Sequence, residues 1–136
     1  MKKILMITMM LFFVSMTSGT FALDGKEDKI VNKYKEIVEN ASPDDWYTLA
    51  NSADMCLKKN INRKEIAVWL DKSLSIKETP YNLEVKGDYY RINNLPEKAG
   101  KCYLKAIQIG SEEDSNFDSS GLQEKIAEII KLDINS

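Results

Sequence analysis

A pattern laid down in the middle of this chain returns 34 residues later. Leu49, Ala53 and Cys56 reappear as Leu83, Gly87 and Tyr90, and Ile66, Leu70 and Ser73 reappear, after 33 residues rather than 34, as Ala99, Tyr103 and Ala106. Each set of three has the spacing of one face of an α-helix. Self-similarity at such a period is the signature of a helical repeat array, in which a unit buries its apolar face only by stacking on its neighbours. The chain is therefore expected to be all-α, built of stacked antiparallel helical hairpins, and to present surfaces rather than an enclosed site.

Local signals divide the chain into six amphipathic segments. Ile30, Val31, Tyr34, Ile37 and Val38 line one face of a helix over 26–40, with Asn40 as its stop. Ser42, Pro43, Asp44 and Asp45 read as a helix start, with Ser42 capping, Pro43 in the first turn and two acids at the positive end of the helix dipole. Asn62 with Glu65 three residues on suggests a capping box for the third helix. Thr79-Pro80 opens the fourth and Pro96 the fifth, which Gly110 is expected to stop. Residues 111–120 are acidic and rich in breakers, hence a loop, and Ser119 or Ser120 caps a last helix bearing Leu122, Ile126, Ile129 and Ile130. No segment alternates with the two-residue period of a half-buried strand.

The N-terminus has the layout of a secretory leader. Lys2 and Lys3 precede an apolar run over 4–14 interrupted only by Thr8, and Thr20 and Ala22 take the −3 and −1 places of a cut after Ala22. The run is shorter than the ~20 apolar residues a spanning helix needs, so cleavage is expected rather than anchoring, with no membrane span afterwards. The expected organisation is a leader at 1–22, a capping helix and turn at 23–45, two repeats at 46–113, and an acidic loop with a capping helix at 114–136. The product would be exported, to a periplasm or the medium. Removing 1–22 takes away two lysines and no acid, which moves the net charge from −2 to −4. With no basic stripe, nucleic acid is a poor partner.

Two cysteines in an exported chain suggest a disulfide. Here Cys56 falls in the first helix of one hairpin and Cys102 in the second helix of the next, on apolar stripes. Packed helices stand ~8–10 Å apart, whereas a disulfide needs Cα atoms within ~7 Å. Two free, buried thiols are expected, with the disulfide as the alternative.

Gly87, Tyr90, Ala99, Tyr103 and Ala106 have the residue types and spacing of a tetratricopeptide repeat, and residues 80–113 resemble one unit of that family. Residues 46–79 resemble a second unit, in which Ala53 replaces the Gly, Cys56 the Tyr and Ile66 the Ala, and in which Trp69 and Leu70 compete for the place of Tyr103. The segment from Trp46 to Lys131 is also similar to the helical tail of some exported bacterial proteins. The resemblance implies that Gly87 and Ala99 let the two helices of a hairpin approach closely, while Tyr90 and Tyr103 fill the wedge between hairpins. It also implies that the inner face of each first helix receives an extended peptide. Here that face would hold Tyr47, Ala50, Asp54, Leu57 and Lys58, then Tyr81, Glu84, Asp88, Arg91 and Ile92. Family members that grip a peptide's terminal carboxylate use Lys and Asn on this face; Ala50, Asp54, Glu84 and Asp88 do not match them. Aromatic rings beside carboxylates suit a segment carrying Lys or Arg. The candidate partner-binding residues are Tyr47, Asp54, Lys58, Tyr81, Glu84, Asp88 and Arg91, and the expected partner is a protein or peptide. The alternative is a self-associating helical module whose groove is idle. Trp46 and Trp69, on apolar stripes, read as core anchors.

Chemistry has little to work with. The chain has no His, which removes Ser-His-Asp and Cys-His nucleophilic sites and the commonest transition-metal ligand. Two cysteines on different helices are not a zinc site, and no Gly-rich phosphate loop is present. The acids at 44–45 and 112–114 suit a helix start and a solvated loop. Asp114, Asn116 and Asp118 alternate as at the start of an EF-hand loop, but its sixth place holds Ser119 in place of Gly and its twelfth holds Lys125 in place of Glu. The expectation is a chain with no catalytic residues, no cofactor and no metal.

Overall fold

The computed structural model describes residues 20–61 and 63–134; the first nineteen residues of the expected leader, Asn62 and the last two residues lie outside the described residues. Six helices follow in order: α1 (Thr20–Glu39), α2 (Trp46–Leu57), α3 (Lys64–Ile76), α4 (Pro80–Ile92), α5 (Pro96–Glu113) and α6 (Ser120–Ile134). Among the described residues there is no strand. Helices α2 and α3 form one hairpin and α4 and α5 a second, each closed by a short turn; α1 packs on the first and α6 on the second.

The repeated positions are the interior. Leu49, Ala53, Cys56, Ile66, Leu70 and Ser73 of the first hairpin are all buried, as are Leu83, Gly87, Ala99, Tyr103 and Ala106 of the second; Tyr90 is half buried. One apolar cluster joins α1, α2 and α3, with Val85 reaching in from α4, and the other joins α4, α5 and α6 through Leu83, Ala99, Tyr103, Ala106 and Leu122. Trp69 is a core residue, as expected. Trp46 is not: it is half buried, outside both clusters, with its ring edge-on to Tyr47 at 5.8 Å.

The two turns open in the same way, although α3 starts three residues after Ile61 and α5 directly after Leu95. Asn60 and Asn94, the same place in successive hairpins, are the two non-glycine residues with positive φ among the described residues, 59° and 56°. The following N–H reaches back across the turn in both, Ile61 to the Cys56 carbonyl at 3.0 Å and Leu95 to the Tyr90 carbonyl at 2.9 Å. This is the Schellman closure, with Asn in the left-handed place that Gly usually takes.

Several helix ends differ from the sequence expectation. Helix α2 is capped by Asp45, not Ser42: residues 42–45 form a turn, and Asp45 accepts from the Thr48 N–H at 2.9 Å and the Thr48 hydroxyl at 2.7 Å. The backbone hydrogen bond from Thr48 is the main reason the Asp45 carboxyl is held below its usual range. Helix α3 starts after Arg63, which makes no side-chain cap; its guanidinium instead reaches Asp28 of α1 at 3.0 Å. Gly110 does not stop α5. The helix runs on to Glu113, and the ring of Phe117 folds back against Gly110, so the loop is confined to 114–119. In that loop Asp114 and Asp118 accept from the backbone N–H groups of Asn116 and Ser120, both at 2.9 Å, which turns the calcium-like alternation into two local turns.

Thr79 caps α4 as expected, and Asn82 completes a capping box. Asn82, fully buried, then donates to the Ser73 hydroxyl at 3.0 Å, and Ser73 donates to the Trp46 carbonyl at 2.7 Å. The start of α2, the end of α3 and the start of α4 are thus joined by one buried polar chain. This explains why the first hairpin has Ser where the second has Ala106.

Candidate interaction face

The first helices, α2 and α4, bring most of the predicted face together. Tyr47 and Tyr81 occupy the same place in successive helices, and their rings lie 5.5 Å apart, tilted by 31°. Tyr47 is 54% exposed, while Tyr81 is half buried. The Tyr81 hydroxyl donates to Asp54 Oδ2 at 3.1 Å. Burial, and then the Asp54 charge, push the Tyr81 phenol up from its usual value. Ala50 and Leu57, expected on this face, are buried and take no part in an open surface.

The acids of the face are engaged. Asp54 is 8% exposed and accepts from Lys58 Nζ at 2.7 Å as well as from Tyr81. That hydrogen bond is the first cause of the raised Lys58 pKa. One repeat on, Asp88 accepts from the Tyr103 hydroxyl at 2.7 Å and from Lys125 Nζ of α6 at 2.7 Å, and Lys125 also reaches Glu84 at 2.7 Å. The ammonium stands 5.6 Å from the Tyr103 ring centroid. Burial alone would lower the Lys125 pKa, but its bonds to Asp88 and Glu84 outweigh that and hold it above the ordinary lysine value. Burial, and then the bond to Asp88, push the Tyr103 phenol up, with Arg91 opposing from the exposed end of α4.

Asp54 and Asp88 therefore do the same job in successive layers. Each takes a hydrogen bond from the next layer, from Tyr81 in one case and Lys125 in the other. The expected acidic stripe, open to a partner's Lys or Arg, is corrected accordingly: Lys58 and Lys125 already supply the cations. A carboxylate withdrawn between packed helices is costly unless it is paired, so the fold pairs these acids before any partner arrives. A charge reversal at either Asp is a change to the packing, not to a free surface.

Sequence reasoning met Lys125 only as a misfit in the calcium-like loop and missed its tie to α4. It lies among Leu122, Ile126 and Ile129, where a lone charge beside an apolar stripe is the available signal of a tie to another helix. Lys86 of α4 is a second case. It is 5% exposed, binds Asp71 of α3 at 2.6 Å and stands 5.3 and 5.0 Å from the rings of Tyr89 and Tyr90. It ties the hairpins together away from the Tyr47–Tyr81 pair.

Both thiols are free, as expected, although Cys102 is only half buried. Burial, helped by Glu65, pushes Cys56 up to about 11, and burial also raises Cys102, so neither is an activated nucleophile. Among the described residues no group of three or more His, Cys, Asp or Glu is placed to hold a metal ion, and no helix is long and apolar enough to cross a membrane.

The fold and this face define an all-α protein of the helical-repeat kind, two hairpins with a flanking helix at each end. Comparison with protein-family models, with curated protein sequences and with solved structures returned no match to this chain.

Proposed function

We propose that this chain is an exported, non-catalytic interaction module of tetratricopeptide-like build, which holds an extended segment of a protein partner along the face of α2 and α4. The observation that carries the reading is the Tyr47–Tyr81 pair. The outer ring is 54% exposed, and its neighbour is held in place by a hydrogen bond to Asp54. Aromatic rings give large contact area at small cost in conformational freedom, which is why Tyr is enriched at interfaces. Because the acids nearby are already paired, the partner is selected by apolar and ring contact more than by charge. Export rests on the leader-like residues 1–22.

The test is capture of partners from the compartment to which the chain is delivered, comparing the parent with Tyr47→Ala. Val68→Ala serves as control, since Val68 is 62% exposed on α3, a second helix. A partner lost with Tyr47→Ala and retained with Val68→Ala supports the face. Equal recovery with all three shows that the face is idle. N-terminal sequencing of the recovered chain tests export: Leu23 is the expected first residue.

A further inference from the structure

Tyr47, Asn51, Asp54 and Lys58 follow one another along one stripe of α2, ending at its C-cap. Tyr47 offers an exposed ring, and the half-buried Trp46 ring stands at 89° to it, so the two form a right-angled corner. One turn on, the side-chain carbonyl of Asn51 faces the Tyr81 hydroxyl at 3.5 Å. Its amide N–H groups are the end left open, and they donate to no described residue. Asp54, the carboxylate of the stripe, is 8% exposed and already takes Tyr81 and Lys58. Lys58 gives Asp54 one N–H and keeps the others in solvent. Beside its rings the stripe therefore presents N–H donors.

The face is also neutral. Asp54, Glu84 and Asp88 stand against Lys58, Arg91 and Lys125, and at its ends Asp44 and Asp45 stand against Lys59 and Lys77. Glu78 and Lys86 are taken off the face by Lys105 and Asp71. A segment that complements this surface is apolar, uncharged, and supplies carbonyls without N–H groups that need acceptors. Proline has those properties: an apolar ring, a carbonyl, no N–H and a fixed φ. In the polyproline II form the carbonyls are unbonded and little freedom is left to lose, which is why such segments dock on aromatic-lined grooves. The lengths agree. Two residues of polyproline II advance ~6 Å, and the helical turn from Tyr47 to Asn51 also advances ~6 Å.

We propose that the Tyr47 face selects an uncharged, proline-rich segment in the polyproline II form, with a proline ring on Tyr47 and the carbonyl two residues along on the Asn51 amide. This rests on the reading of α2 and α4 as a partner-binding face and names the chemistry of the partner.

The experiment is calorimetric titration of the purified chain with N-acetylated, C-amidated decaproline, from ~10 μM to ~1 mM, the range of weak contacts. Tryptophan fluorescence is read in parallel, since Trp46 borders the site while Trp69 is sealed in the core. Binding should saturate. A peptide with alternate prolines replaced by alanine regains N–H groups and chain freedom and should bind about tenfold more weakly or worse. Tyr47→Ala should abolish binding, and Asn51→Ala should weaken it about fivefold, the weight of one hydrogen bond. Because the face is neutral, about 1 M salt should change the affinity less than about twofold. Circular dichroism establishes that each variant is folded; one that is not is replaced by the Ser substitution at the same position. No saturable binding overturns the proposal. So does equal affinity for the alanine-interrupted peptide, tighter binding of a lysine- or glutamate-interrupted one, indifference to either substitution, or a steep loss in salt. Tyr47-dependent self-association of the chain without peptide also overturns it, because the occupant is then a second copy. Partner capture that needs Tyr47 while decaproline fails to bind removes this proposal and leaves the face reading standing; failure of both removes the face as well.

Discussion

The ring of Tyr103 lies where a side chain on Gly87 would have to go: a Cβ built on Gly87 overlaps Tyr103 Cε1, and its three nearest atoms all belong to that ring. Tyr103 is fully buried, and its hydroxyl is held by Asp88, so the ring cannot swing aside. The close approach expected between Gly87 and Ala99 is, at the Gly87 end, an approach to Tyr103. The aromatic fills the inside of its own hairpin as well as facing α6.

Gly87→Ala should therefore destabilise, although Ala is the better helix former. Overpacking of ~1–3 kcal/mol outweighs a propensity gain of ~1 kcal/mol. Thermal unfolding of Gly87→Ala, of Tyr103→Leu and of the double variant measures the coupling. The double variant should be more stable than the sum of the single effects predicts.

The turn asparagines distinguish backbone strain from side-chain contact. Asn60→Ala and Asn94→Ala should each cost ~1 kcal/mol, because Asn, whose short polar side chain can bond the nearby backbone, tolerates φ near 60° better than Ala does. Asn60→Gly and Asn94→Gly should be neutral or slightly stabilising. Equal losses for Ala and Gly in chemical denaturation would show that the amide side chain, not the dihedral, matters.

The two cations of the face should differ in weight. Lys58 is 66% exposed and pairs within its own helix, so Lys58→Ala should cost no more than ~0.5 kcal/mol. Lys125 is 26% exposed and ties α6 to α4, so Lys125→Met should cost ~1–2 kcal/mol through lost charge-assisted hydrogen bonds. Hydrogen exchange should then quicken in α6 before α2 to α5, and 1 M salt should mimic part of the effect.

Stability should be flat near neutral pH and fall on the alkaline side. With no His, no side chain has its ordinary pKa between pH ~5 and ~8. Cys56, Cys102, Tyr81, Tyr103 and Lys125 all have raised pKa values in the folded chain. For each, stability is fully present below the unfolded value and is lost as pH rises toward the folded value. The fall should start near ~8.5 with the thiols and steepen above ~10 with the phenols and Lys125. Replacing both cysteines by Ala should move the onset of the fall in melting temperature up toward pH ~10.

Helix number, helix order and the buried positions of the hairpins were legible in the sequence, because a 3.6-residue apolar period and a 34-residue repeat are local or nearly local signals. Leu49, Ala53, Cys56, Ile66, Leu70, Ala99, Tyr103 and Ala106 were read as interior and are interior. The exact caps were not legible: Ser42 and Asp45 are both good caps, and only the path of the turn chooses Asp45. Gly110 reads as a stop in isolation, and continues a helix because Phe117 needs the space beside it.

By itself, then, the sequence determined an all-α chain of two hairpins with a helix on either side, since burying amphipathic stripes at that period leaves no other economical packing. What only the tertiary structure decided is the state of the charged groups. Asp54, Glu84 and Asp88 look alike on a helix face, and which of them meets water depends on the helix that arrives next to them. Lys125 lies 37 residues beyond Asp88 and closes on it only when α6 is docked. An ion pair between distant segments leaves no period in the sequence, because Coulomb attraction needs proximity in space and not regular spacing along the chain.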